Sequence, residues 1–302
     1  MFLGIEIGGT KLQVGLGPGD GTVQALVRVA VEPEAAAEGI RQQIEHTAAR
    51  ALGKAGIGRE NLAGVGIGFG GPVDDETRRV LKSFQVRGWA DFPLAEWSEA
   101  CWHCPAVLGN DADVAGLAEA LFGAGQGLSP LFYTNVGSGI GGALILDGRI
   151  YRGCGRGAGE IGHLWSDYDV QHFGAASWKD VEDCSSGWGI AKRAGRERVE
   201  EVVAAALGGN ATARAVIDQA RRRYAIALAH VIALFCPRRI VLGGGVAQMD
   251  RSLWLDPLRQ EVKSIAFPPF AECVDLVPAG LGEAVVVHGA LALARQRFGD
   301  RS

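Results

Sequence analysis

The 302-residue chain has no run of about eighteen consecutive apolar residues, which leaves no candidate for a membrane-spanning helix. Its opening, Met1-Phe2-Leu3-Gly4-Ile5-Glu6, has neither the basic head nor the long apolar stretch of a signal peptide, so a cytoplasmic protein is expected. A surplus of positive charge is also missing. Thirty Lys and Arg against 34 Asp and Glu give a net charge of −4, and nucleic acid is therefore not an expected partner. The six cysteines, at positions 101, 104, 154, 184, 236 and 273, are too few and too scattered for a disulfide framework. Cys101-Trp102-His103-Cys104 has no second Cys-x-x-Cys to complete a structural zinc site, and ordinary thiols are expected. No Gly-x-x-x-x-Gly-Lys-Ser/Thr occurs either, which excludes a P-loop nucleotide fold.

Glycine is abundant, at 45 residues, and it clusters. Asn135-Val136-Gly137-Ser138-Gly139-Ile140-Gly141-Gly142 suits a tight turn between two short apolar strands, with successive N–H groups free to converge on a phosphate. It leads into Gly155-Arg156-Gly157-Ala158-Gly159-Glu160-Ile161-Gly162-His163. Gly8-Gly9-Thr10-Lys11 and Gly243-Gly244-Gly245 are further glycine turns, each following an apolar strand. Gly64-x-Gly66-x-Gly68 invites a dinucleotide-binding reading, but Pro72 and Asp74-Asp75-Glu76 stand where the helix under the pyrophosphate should begin. Close backbone packing accounts for that run better.

Strands and helices alternate along the whole chain. Strands are expected over 2–7, 12–16 and 23–29 as an antiparallel start, then a helix over 34–54 whose Ile40, Ile44, Ala48 and Leu52 share a face. Strands at 65–68 and 106–108 follow, and the second leads straight into a helix to Phe122. Gly123-Ala124-Gly125-Gln126-Gly127 reads as a boundary, after which 131–134 and 143–146 repeat the strand–turn–strand opening. Residues 166–183 read as an irregular excursion in which Trp165, Tyr168, Phe173 and Trp178 pack or line a cleft. A helical region runs from Ser186 toward Leu207, another helix spans 211–235 before Pro237, and the last helix covers 282–298. The fold class is α/β, with two lobes and a cleft between them.

Asp111 is the leading catalytic candidate. At a strand end and in the first turn of a helix, exposed N–H groups keep a carboxylate ionised and able to take a hydroxyl proton. The competing reading is that Asn110 and Asp111 cap the helix. Gly9, Thr10 and Lys11 offer amides, a hydroxyl and an ammonium to polyphosphate oxygens, though an ordinary hairpin would look the same. Glu6 could hold magnesium through water. Glu160 and His163 could bond adjacent hydroxyls, and Glu182 could add a second carboxylate. His163, His172, Cys154 and Cys184 are too widely spaced to read as a metal set.

Together these segments resemble the ROK family of sugar kinases and regulators, within the actin-like ATPase (ribonuclease H-like) superfamily. Leu3 to Lys11 is similar to the family opening, Gly70-Gly71-Pro72-Val73-Asp74 to its second glycine segment, and Asn110-Asp111-Ala112-Asp113 to its catalytic segment. The 137–142 and 157–163 segments and Gly243-Gly244-Gly245 continue the correspondence over nearly the full chain. The resemblance implies a smaller domain over 1–117 completed by a helix at 282–302, a larger one over 118–281, and an active site in the cleft. It implies ATP- and magnesium-dependent phosphorylation of a hexose, glucose first, with N-acetylglucosamine, N-acetylmannosamine, mannose or fructose as alternatives. Asp111 would be the base, Gly71, Asn110, Glu160, His163 and Glu182 would surround the sugar, and Gly9, Thr10, Lys11, Gly137, Ser138 and Gly244 would hold ATP. A homodimer is a family tendency. A sugar-sensing regulator without a DNA-binding domain is the non-enzyme alternative. Two departures stand out: Glu6 replaces the family's usual aspartate, and the cysteine-rich zinc loop is missing between Ser166 and Ser185, so no zinc site is expected.

Overall fold

A computed structural model describes residues 1–83, 85–167 and 179–299. Tyr168, His172, Phe173 and Trp178 lie outside the described residues. The first half contains β1 (Phe2–Ile7), β2 (Lys11–Gly17), β3 (Ala25–Ala30), α1 (Ala36–Ala55), β4 (Gly64–Phe69), β5 (Val73–Asp74), β6 (Arg79–Val80), α2 (Leu94–Trp102), β7 (Ala106–Asn110) and α3 (Asp111–Phe122). There follow β8 (Leu131–Val136), β9 (Ile140–Leu146), β10 (Arg149–Ile150), β11 (Trp165–Asp167), β12 (Lys179–Asp180), α4 (Val181–Ser185), α5 (Gly187–Arg193), α6 (Val199–Leu207) and α7 (Ala211–Phe235). The chain ends with β13 (Arg239–Gly243), α8 (Leu255–Ile265), α9 (Pro268–Ala271), β14 (Asp275–Pro278) and α10 (Val285–Phe298).

Two five-stranded sheets have the orders β3-β2-β1-β4-β7 and β10-β9-β8-β13-β14. In each, an antiparallel hairpin precedes two strands added in parallel, so the strand–turn–strand recurrence near residue 130 is a repeat of topology. The chain divides into two compact units, one made of 1–127, 148–158 and 280–302 and the other of 128–147 and 159–279. The first cut falls after Gly127, so α3 stays whole within the first unit.

In the first unit, α1 packs its Ile40, Ile44, Ala48 and Leu52 face into the core with Leu3, Ile5, Leu12 and Ile67. The opposite face of β4 explains the alternating glycines. Side chains alternate across a strand, so Gly64, Gly66 and Gly68 share one face, and added Cβ atoms there would press on Phe298, Ala290 and Val286 of α10. Bare backbone lets α10 lie directly on the sheet. The run is a helix-packing surface.

In the second unit, α7 is capped by Asn210, whose side chain accepts from Ala213 N at 2.9 Å, and it stops at Cys236 with φ 38° before Pro237. Its buried Ala220, Tyr224, Leu228 and Val231 fill the core under the second sheet. The helical region expected from Ser186 to Leu207 is two helices, α5 and α6, because the chain turns at Gly195 with φ 64°. The α8 helix was not expected. Its short apolar stripe, Leu255, Leu258 and Val262, is flanked by charged residues, and Pro257 in its first turn masks the start.

Candidate functional site

The first unit carries one group of the expected site residues. Asn110 ends β7 and caps α3, its Oδ1 accepting from Ala112 N at 2.8 Å and Asp113 N at 3.3 Å. Its Nδ2 donates to Gly71 O at 3.1 Å, which ties the strand end to the second glycine segment. The cap bonds to Ala112 N and Asp113 N thus come from Asn110, where sequence alone offered Asn110 and Asp111 together. Asp111 Oδ1 accepts from the adjacent Ala112 N–H at 2.9 Å, at the positive end of the helix. A Cβ on Gly70 would sit 3.3 Å from Ile7 O, 3.4 Å from Gly8 Cα and 3.5 Å from Asp111 Oδ2. The Asp111 carboxylate, the end of β4 and the Gly8 turn therefore meet at one place.

Glu6 is buried on β1, opposite Gln13 on β2. Its Oε1 pairs with Lys11 Nζ at 3.0 Å and its Oε2 accepts from Gln13 Nε2 at 2.5 Å. Burial raises its pKa, against the opposing charge and hydrogen bond of Lys11. Lys11 Nζ also donates to Glu283 O at 3.2 Å. Both Glu6 oxygens are engaged by protein donors, and the ammonium beside them already balances the charge, which disfavours a direct magnesium bond and leaves a second lone pair on each oxygen for the water-mediated contact expected from sequence. Gly8 N donates to Lys11 O at 3.0 Å, closing the turn, and the Gln85 side chain lies across Gly9.

The second unit carries the other group. Gly137 N donates to Gly139 O at 2.9 Å, and Gly137 O accepts from Gly187 N at 2.7 Å at the start of α5. The turn containing Gly137 and Ser138 is pinned at its far end by Glu182, whose Oε2 accepts from Ile140 N at 2.6 Å. Gly244 has φ 85°, a conformation that favours glycine, and a Cβ there would enter the Val136 backbone. The Gly243-Gly244-Gly245 turn thus packs on the residue that opens the Gly137 turn, and Val246 N donates to Val136 O at 2.9 Å.

Glu160 and His163 flank a short 3₁₀ turn, Ile161–His163, that packs on β9 through Gly162. Glu160 is exposed as a residue, yet the protein around its carboxyl raises its pKa by burial, with Glu182 adding to the rise and His163 opposing it. His163 Nδ1 lies 3.2 Å from Asp180 Oδ2. Burial lowers the imidazole pKa, but the hydrogen bond and charge of Asp180, helped by Glu160 and Glu182, outweigh it and leave the pKa raised.

Each unit thus assembles its own set: Glu6, Gly9, Thr10, Lys11, Gly71, Asn110 and Asp111 in one, Gly137, Ser138, Glu160, His163, Glu182 and Gly244 in the other. Sequence reasoning missed Gln13 and Asp180. Asp180 had a signal, since Asp180-x-x-Asp183 before a short apolar turn is an N-cap pattern and its Oδ1 accepts from Asp183 N at 2.8 Å. All six cysteines are free, and burial raises the Cys101 and Cys104 thiol pKa values. Among the described residues no group of three or more His, Cys, Asp or Glu is placed to hold a metal ion. No helix of the described residues is long and apolar enough to cross a membrane.

The ROK family model matches residues 2–297. The glucokinase of Streptomyces coelicolor is 30% identical over 98% of this chain and 98% of its own. Among solved structures, a ROK hexokinase from Thermus thermophilus superposes with a TM-score of 0.84 at 28% identity, covering 99% of both chains. A ROK family glucokinase from Streptomyces griseus, solved with glucose and AMPPNP, gives a TM-score of 0.80 at 28% identity over 98% of this chain and 99% of that one. The chain belongs to the ROK family, a family of ATP-dependent sugar kinases, and has its two-lobed α/β fold.

Proposed function

We propose that this ROK-family chain transfers the γ-phosphoryl group of ATP to a hexose hydroxyl, with glucose the first substrate and glucose 6-phosphate the product. The observation that carries the reading is the placement of Asp111. Its carboxylate stands at the α3 N-terminus against Gly70 and the Gly8 turn, while the neighbouring Asn110 takes the cap. A carboxylate so held is positioned to orient a sugar hydroxyl and accept its proton as the phosphoryl group arrives.

Asn110 and Gly71 would bond the sugar from one unit, and Glu160, His163 and Glu182 from the other. Gly9, Thr10, Lys11, Gly137, Ser138 and Gly244 would contact ATP, the glycine turns supplying N–H groups to phosphate oxygens. Closure of the two units would bring the sets together and exclude water. Magnesium enters with the nucleotide and would neutralise charge on its phosphates. The protein acts as a cytoplasmic homodimer in this reading. Glucose ranks first because the Streptomyces coelicolor relative is a glucokinase and the Streptomyces griseus structure holds glucose.

The test is a coupled magnesium–ATP assay across glucose, mannose, fructose, N-acetylglucosamine and N-acetylmannosamine. Glucose should give the highest kcat/KM, and Asp111→Asn should lower kcat by about 10²–10⁴-fold with an unchanged circular dichroism spectrum. An Asp111→Asn enzyme that keeps its turnover would remove Asp111 as the base. Inactivity of the wild type on every sugar, with sugar binding retained, would favour a sensor.

A further inference from the structure

The first unit contains a cavity of about 590 Å³ that the proposed reaction does not use. It lies along β7, the edge strand of the first sheet, beside the last turns of α10. The expected site residues do not line it. Its charge is lopsided: four guanidinium groups, on Arg78, Arg149, Arg152 and Arg297, face two carboxylates, on Asp75 and Glu99.

Two of the arginines are neutralised. Arg152 pairs with Asp75, and Arg78 donates to Glu99 Oε1 at 2.6 Å. Glu99 Oε1 also accepts from Ala106 N at 3.1 Å, at the start of β7. Arg78 holds its place at φ 56°, a left-handed conformation costly for a side chain of this size. Arg149 and Arg297 are exposed and make no hydrogen bond or ion pair with any described residue. Burial raises the pKa of the half-buried Asp75, against the charge and hydrogen bond of Arg152 and, last, the charge of Arg297.

The remaining wall is apolar. Leu108, Leu293 and Phe298 line it. A volume of this size lies in the range of small-molecule sites, larger than an inorganic anion needs. Guanidinium forks match the oxygens of a phosphate in a bidentate way. We infer that this cavity is a binding site for a small organic phosphate, whose dianionic group sits between Arg149 and Arg297 while its carbon skeleton lies on the apolar wall. The site is independent of the phosphoryl-transfer reading, although β7, which lines it, ends at Asn110 and abuts Asp111.

The test is equilibrium dialysis of radiolabelled glycerol 3-phosphate against the full chain, with saturating glucose and AMPPNP present throughout. The wild type should bind, and an Arg149→Ala/Arg297→Ala double variant should bind about tenfold more weakly or worse. Because neither side chain makes a hydrogen bond or ion pair with any described residue, that variant should fold with a wild-type circular dichroism spectrum, losing only the long-range charge of Arg297 on Asp75. Sulfate should compete less well than unlabelled glycerol 3-phosphate. No binding by the wild type, or equal binding by the folded double variant, overturns the inference. Competition by sulfate as strong as by the ester overturns the organic part of it.

Discussion

Asp180 divides its two oxygens between different elements. Oδ1 caps α4 through Asp183 N, and Oδ2 meets His163 Nδ1, while the α4 it starts carries Glu182 to the Ile140 N–H. One aspartate therefore links the segment proposed to bind the sugar to the glycine turn proposed to hold phosphate. Asparagine at this position keeps a capping oxygen but loses the charge opposite the imidazole. Because the folded-state His163 pKa is raised, its contribution to stability is fully present below the unfolded value of about 6.5 and is lost as pH rises through the folded value. Melting temperatures of wild type and Asp180→Asn should therefore differ most in mild acid and converge in alkali. A gap that stays constant with pH would mean the imidazole–carboxylate pair adds nothing beyond geometry. Asp111, Asn110 and the glycine turns were legible from sequence because each sits at a strand end, where local spacing alone fixes position. The Asp180–His163 and Gln13–Glu6 pairings were not, since the β11–β12 register sets Asp180 opposite Trp165, two residues from His163, and the β1–β2 hairpin sets Gln13 opposite Glu6.

Elements were legible where the apolar period was long, as in α1, α7 and α10, and obscured where tertiary packing sets the rule. The β4 glycines look like a nucleotide motif in one dimension and act as a bed for α10 in three. The same logic separates two helical glycines. Gly53 of α1 is exposed, with nothing within 4 Å of an added Cβ, whereas a Cβ on Gly289 of α10 would run into the Val114 backbone of α3. Gly53→Ala should raise stability by about 0.5–1 kcal/mol through lost backbone freedom in the unfolded chain. Gly289→Ala should lower it by about 1–3 kcal/mol, because the obstruction is main chain and cannot swing aside. Urea unfolding of both variants checks the pair, and equal effects would refute the α3–α10 contact as the reason for glycine.

At the scale of the whole molecule, the repeated strand order was legible from the recurrence of strand–turn–strand, but the device at the crossings was not. The chain first leaves the first unit after Gly127 and returns to it for the last time at Gly280. Glu119, fully buried in α3, receives Ala124 N at 2.8 Å, Gly280 N at 3.0 and 3.1 Å, and Leu281 N at 2.9 Å. Its main-chain oxygen accepts from Gly123 N and Gly125 N as well. A glutamate in the third turn of a helix ordinarily reads as a solvated side chain; here residues 161 and 162 positions away bury it. Glu119→Ala removes the acceptor of three N–H groups at the first and last of the crossings, and stability should fall by at least about 2 kcal/mol. Glu119→Gln retains one acceptor oxygen and should fall less. Urea unfolding of both variants checks the order, and full stability in Glu119→Ala would show that water replaces the carboxylate at no cost.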